Sequence, residues 1–350
     1  MQATILGSPD KYGVWPTKDF TAGSMPDWFS VPKVKGALLY KGVRNGNVFN
    51  DSILLLHEGK LAFERYYGKW DRDTKHPMYS VTKSVVSALT GIAVAEGKIE
   101  NADQKVTDFF PDAVIAPGQE LKRDITIEHL LHMNSGLPGD SQKNDVNWWD
   151  APDSGKAAFE TPLFAKPGER FSYSSGPGCQ TLAVLISRAV GQNLFEYAKE
   201  KLFGPLGMDS VEWDAAKDGN NYGGFGIRMT SRDMLRFGYL YLNRGRWENT
   251  QILPPEWVDK SAPSSKEKCS YGRLFWNTDF NLQNDSYQAC GSFGQFICVL
   301  PERDAVLVRT GSAGPVTRFA NKRGGERFER MLLSFTPLKG IPLAYFRSEL

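Results

Sequence analysis

Ser80-Val81-Thr82-Lys83-Ser84-Val85-Val86-Ser87-Ala88-Leu89-Thr90-Gly91-Ile92-Ala93-Val94-Ala95-Glu96-Gly97 is the stretch on which the reading of this chain turns. Val85, Val86, Leu89, Ile92 and Ala93 recur at helical spacing, and Gly97 stands where a helix C-cap belongs. The segment predicts a mostly buried helix over Thr82 to Glu96. At its opening, Ser80 and Lys83 lie three residues apart, about 60° around the axis and ~4.5 Å along it, so hydroxyl and amine share a face and can meet. A helix start also offers unpaired N–H groups and a positive dipole end, which favour an alkoxide and the oxyanion that follows its attack. A buried lysine can lose its proton and act as a base. The plain structural alternative makes Ser80 an N-cap and Lys83 a surface residue, and motif and helix alone leave both open.

The bare Ser-x-x-Lys pattern occurs four times, at Ser8/Lys11, Ser30/Lys33, Ser80/Lys83 and Ser265/Lys268. Pro9 and Pro32 interrupt the first two, and the fourth lies in a polar stretch without apolar periodicity. Only the third opens a rigid helix on which a site can be built.

Working outward, Ser52 to His57 and Leu61 to Tyr67 read as strands joined by Glu58-Gly59-Lys60, a hairpin signal. Helical patterns follow at Ile127 to Met133, Cys179 to Val190, Leu194 to Leu202 and Ser231 to Asn243. Strand character returns at Ser286 to Ala289, Gln295 to Leu300 and Ala305 to Arg309, and Gly325 to Phe335 reads as a closing amphipathic helix. Both chain ends carry β structure and the middle does not. The expected fold class is therefore α+β, with one antiparallel sheet assembled from the two ends. The expected division is a discontinuous sheet domain, 1–78 with 264–350, and a mainly helical domain, 79–263, with the active site at their interface.

Composition narrows the function. Among 350 residues, 42 Lys and Arg balance 40 Asp and Glu for a net charge of +2, so no basic field exists to hold a nucleic acid. The basic cluster Arg318, Lys322, Arg323 and Arg327 reads as solvated surface. Cys179, Cys269, Cys290 and Cys298 are too few and scattered for a disulfide framework and read as free thiols. No apolar run is long enough to span a membrane. Met1 to Asp10 lacks the pattern of a signal peptide, so the expected location is cytoplasmic as written, and periplasmic or secreted if a leader was removed. HExxH, Walker A, GxGxxG after a strand and GxSxG are all absent. His129 and His132 share a helix face without a third ligand, so neither a metal nor an organic cofactor is expected.

A second segment, Gly168-Glu169-Arg170-Phe171-Ser172-Tyr173-Ser174-Ser175-Gly176-Pro177-Gly178-Cys179, leads straight into a helix and resembles a Tyr-x-Asn loop. With Ser80-x-x-Lys83, Ile125 to Leu137, Gly223 to Gly238 and Gly291 to Pro301, it makes the chain resemble the serine β-lactamase and penicillin-binding-protein superfamily. The resemblance runs from about Ser52 to Phe335. It is greatest to the class C-like branch, with its family VIII carboxylesterases, D-aminopeptidases and 6-aminohexanoate-dimer hydrolases. It implies the β-lactamase/transpeptidase-like fold, a sheet with terminal helices and an inserted all-α domain.

The same resemblance implies that Ser80 is the acylated nucleophile, that Lys83 helps take and return its proton, and that Tyr173 shuttles a proton to the leaving group. The backbone N–H groups of Ser80 and Gln295 would form the oxyanion hole. Ser175 stands where the family usually has Asn. The Lys-Thr-Gly position is Ser292-Phe293-Gly294, with no cation for a β-lactam or peptide carboxylate. Phe293, Trp148, Trp149, Tyr222 and Phe225 suggest an apolar acyl pocket. The expected function is a serine hydrolase acting through an acyl-enzyme on small esters or linear amides. The alternatives are a 6-aminohexanoate-type amidase, a weak β-lactamase or D-peptidase, and an acyl-binding sensor without turnover. A monomer or homodimer is expected.

Overall fold

The computed structural model describes residues 15–29, 48–142, 145–263, 271–277 and 286–313. Its strands are β1 (Val48–His57), β2 (Lys60–Tyr66), β3 (Lys75–Pro77), β4 (Glu212–Trp213), β5 (Ile227–Thr230), β6 (Arg246–Trp247), β7 (Thr250–Gln251), β8 (Trp276–Asn277), β9 (Tyr287–Gly291), β10 (Gln295–Leu300) and β11 (Ala305–Ala313). Its α-helices are α1 (Val81–Ala95), α2 (Ile127–Leu131), α3 (Ser154–Glu160), α4 (Pro177–Val190), α5 (Leu194–Ala198), α6 (Ser231–Leu242) and α7 (Pro255–Ser261).

Ile53-Leu54-Leu55-Leu56 in β1 is a continuous apolar run, and such a run belongs to a strand covered on both faces. All four side chains are fully buried. Leu54 and Leu56 join the large core shared with the helices, while Ile53 and Leu55 pack with Phe29, Phe296 and Leu307 on the opposite face. Between β1 and β2, Glu58 and Gly59 take φ of 50° and 72°, the backbone of a two-residue hairpin turn whose twist matches its strands. The sheet order is β2-β1-β11-β10-β9-β8, antiparallel throughout. Strands from both chain ends thus make one sheet, as the sequence pattern predicts.

α1 and α6 pack on the sheet and α1 also packs on α4. α6 comes close because residue 238 is glycine: a Cβ there would stand 2.5 Å from Val306 and 2.8 Å from Ile297. The remaining helices share that core, and a small sheet of order β3-β5-β4 leads into the start of α1.

Several elements differ from the sequence-based expectation. α2 stops at Leu131 because His132 is its C-cap and Met133 takes φ 56°. α5 passes after five residues into a π-turn, Lys199–Phe203. β5 was not anticipated, since four residues flanked by glycines and a helix carry little periodicity. The expected closing helix at 325–335 and the basic cluster at 318–327 lie outside the described residues. Among the described residues no helix is long and apolar enough to cross a membrane.

Candidate active site

Ser80 is the N-cap of α1, with φ −70° and ψ −9°, and its side chain makes no capping hydrogen bond. Its hydroxyl is therefore not consumed by the helix end. The expected row of bare N–H groups at this helix start is only partly present. Val81, Thr82 and Lys83 donate theirs to the carbonyls of Met78, Tyr79 and Ser80 at 3.1 Å each, tightening the first turn. Tyr79, just before Ser80, takes φ 47°, a left-handed conformation that a bulky residue adopts only when its surroundings impose it.

Lys83 is 1% exposed and its Nζ makes three hydrogen bonds of 2.9 Å, to Ser80 Oγ, Ser175 Oγ and the Gly224 carbonyl. The ammonium also lies 4.7 Å from the centre of the Tyr173 ring. Tyr173 lies close enough to Ser80 and Lys83 for its phenol to be influenced by both. Ser80 and Tyr173 are half-buried. Tyr173 itself is held by its loop. Ser172 N–H donates to the Met133 carbonyl at 2.7 Å and Asp140 N–H to the Tyr173 carbonyl at 2.8 Å, while Ser174 Oγ donates to the Pro138 carbonyl at 3.0 Å.

Burial alone would push the Lys83 ammonium towards losing its proton, as the sequence reading expected. Asp140, together with Tyr173 and Cys179 where they ionise, outweighs that and holds Lys83 above the usual lysine range. Burial raises the Tyr173 phenol, with Lys83 acting against the rise. At neutral pH the pair therefore rests as ammonium and phenol.

The Ser292–Gly294 turn joins β9 to β10 and faces the start of α1. Phe293 takes φ 62° and its ring lies 5.2 Å from that of Tyr79. A Cβ on Gly291 would stand 2.3 Å from the Met78 carbonyl, so the strand edge and the segment entering Ser80 are in close contact. Gln295 opens β10 in register with Gly291, and its buried side chain donates to the Gly311 carbonyl at 2.6 Å. Beneath the turn, Arg309 donates to the Gly294 carbonyl at 2.8 Å and to Asn50 Oδ1 at 2.6 Å. Burial pulls this guanidinium down to about 10, with Asp51 opposing. On the other flank Trp148 meets Trp149 at 5.4 Å and Tyr222 at 6.1 Å, and Tyr222 stacks on Phe225 at 4.7 Å. The five aromatics thus fall into two groups, Phe293 with Tyr79 and the other four together.

Sequence reasoning missed Asp140, Gly224, Tyr79 and Arg309. Asp140 accepts Ser175 N–H on Oδ1 and Ser175 Oγ–H on Oδ2, both at 2.7 Å. It lies three residues beyond Leu137, where the segment singled out in the sequence ends.

A family model described as Beta-lactamase matches residues 37–329. The chain belongs to the beta-lactamase family. A curated relative, the 6-aminohexanoate-dimer hydrolase of Paenarthrobacter ureafaciens, is 24% identical over 287 residues, covering 75% of this chain and 72% of that protein. A solved family VIII carboxylesterase superposes with a TM-score of 0.65 at 16% identity, covering 89% of this chain and 98% of that one. The octameric penicillin-binding protein homologue from Pyrococcus abyssi gives a TM-score of 0.65 at 21% identity, covering 91% and 81%. This beta-lactamase-family chain therefore has the fold expected from its motifs and stands within a serine hydrolase superfamily.

Proposed function

We propose that this protein cleaves small carboxylic esters or linear amides through an acyl-enzyme on Ser80, with no metal or organic cofactor. The observation that carries the reading is the hydrogen-bond set of Lys83. The Gly224 carbonyl can only accept, and Ser175 Oγ donates its own hydrogen to Asp140, so both take hydrogens from Nζ. A neutral Lys83 has two hydrogens, and its lone pair then faces Ser80 Oγ.

In this mechanism the Ser80 hydroxyl proton passes to the Lys83–Tyr173 pair as the Oγ–C bond forms. The Ser80 and Gln295 N–H groups stabilise the oxyanion. Tyr173 returns a proton to the departing alkoxide or amine as its bond to carbon breaks, and water, deprotonated by the same pair, releases the acid. In the third motif Ser292, Phe293 and Gly294 offer an apolar ring packed on Tyr79 where a cation would hold a substrate carboxylate. Neutral acyl groups suit such a wall better than anionic ones. The test is acid quench of a p-nitrophenyl butyrate reaction followed by peptide mass mapping. A butyryl group on the peptide carrying Ser80 supports the reading, and acylation elsewhere contradicts it. The dimer hydrolase relative favours a second reading, amide cleavage, for which a 6-aminohexanoate dimer is the substrate to try.

A further inference from the structure

We propose that Asp140 is a positioning residue: by taking the hydroxyl hydrogen of Ser175 it forces that oxygen to accept from Lys83, and so keeps the lysine lone pair on Ser80. The inference rests on Ser80 as nucleophile and Lys83 as its partner.

A serine hydroxyl has one hydrogen and two lone pairs. At position 175 the side chain stands between an amine and a carboxylate, with 2.9 Å to Lys83 Nζ and 2.7 Å to Asp140 Oδ2. With the hydrogen on the carboxylate, the oxygen is an acceptor towards Lys83. Without the carboxylate, the same hydroxyl is free to turn its hydrogen onto the neutral amine, and the lone pair that should face Ser80 is then occupied. Gly224 cannot correct this, because its carbonyl has no hydrogen to give and needs only one from Nζ. The Asp140 carboxylate is held in place for the task. Its Oδ1 accepts Ser175 N–H at 2.7 Å and its backbone N–H donates to the Tyr173 carbonyl at 2.8 Å. An asparagine at 175 would need no such help, since its amide carbonyl can only accept. The departure from the family pattern at Ser175 and the carboxylate at 140 are thus two parts of one arrangement.

The groups whose charge bears on Lys83 are Tyr173, Cys179 and Asp140. Removing the Asp140 charge disfavours the ammonium, so the rising limb of activity with pH moves to lower pH. A merely structural loss leaves that limb where it was.

The experiment is a double-mutant cycle of Asp140→Asn and Ser175→Ala on p-nitrophenyl butyrate, with kcat and KM measured from pH 6 to 10. Asp140→Asn alone is expected to lower kcat roughly tenfold with KM little changed, the scale of a misdirected general base. It should lower kcat no further in the Ser175→Ala background. In a Ser175→Asn background, kcat should again be insensitive to Asp140→Asn, which keeps the test decisive if Ser175→Ala does not fold. Multiplicative losses, an unmoved pH limb, or an Asp140→Asn protein with wild-type kcat would each overturn the proposal. Ser80→Ala is run beside the cycle. If it retains turnover, the nucleophile is misassigned; if it is inactive and the losses multiply, only the role of Asp140 fails.

Discussion

Gly294 supports the turn of the third motif and its replacement by alanine tests how that turn is held. Gly294 takes φ 86°, and a Cβ there would lie 1.5 Å from Arg309 Nη1 and 2.8 Å from its Cζ, against 3.4 Å or more for an ordinary contact. The guanidinium has little room to retreat, being 1% exposed and hydrogen-bonded to both Asn50 and the Gly294 carbonyl. A left-handed conformation costs an L-residue roughly 1–2 kcal/mol. Losing a charge-assisted hydrogen bond costs roughly 1.5–3 kcal/mol more. Gly294→Ala should therefore destabilise by about 2.5–5 kcal/mol, a large share of a typical folding free energy. Gly118 is the control, because its φ is 82° and nothing lies within 4 Å of its Cβ position; its alanine variant should lose only about 1–2 kcal/mol. Urea unfolding measures both. Displacing the turn by about 1 Å should also lower kcat/KM on the order of 100-fold, while Gly118→Ala should leave it intact. Equal destabilisation in the two variants would refute the account of Arg309 as the buried support of this turn.

Four further outcomes are expected. Lys83→Ala should lower kcat by about 10²–10⁴, whereas Lys11→Ala, Lys33→Ala and Lys268→Ala should stay near wild type in the same ester assay. Because Lys83 and Tyr173 both hold their protons above their ordinary ranges, the deprotonated form that activates Ser80 grows as pH rises. Hence kcat/KM should climb through the alkaline range, and a profile falling above pH 7 would contradict the assignment. Ser292→Lys should raise kcat/KM for a chromogenic cephalosporin roughly 10–100-fold relative to a neutral ester, since it restores a cation at the third motif; an unchanged ratio would argue against that placement. Cys179 is buried, which pushes its thiol up to about 12, so peptide mapping after iodoacetamide at pH 8 should find it unmodified in the folded protein and alkylated after unfolding.

Much of the fold and part of the site were legible in the sequence, for reasons that differ from residue to residue. Ser80 and Lys83 are close in sequence and share a helix, so local geometry alone predicts their contact. The Glu58-Gly59 turn was readable because positive φ demands particular residues, and β10 was readable because all five of its residues after Gln295 are apolar. Gly224 was not, since it meets Lys83 across 141 positions and contributes a carbonyl that every residue possesses. Asp140 was not, because its importance depends on Ser175, 35 positions away. Arg309 reads as one more strand residue until packing places it under Gly294. Where partners are local or backbone-restricted, residue type carries the information; where tertiary packing chooses the partner, it does not.

The central claim is tested most directly by steady-state hydrolysis of a p-nitrophenyl ester series, a chromogenic cephalosporin and a 6-aminohexanoate dimer, comparing wild type with Ser80→Ala. Turnover of an ester or of the dimer that exceeds one equivalent in wild type and disappears in Ser80→Ala is the predicted result. Turnover retained by Ser80→Ala, or a single acylation event with no further product from any substrate, would contradict it.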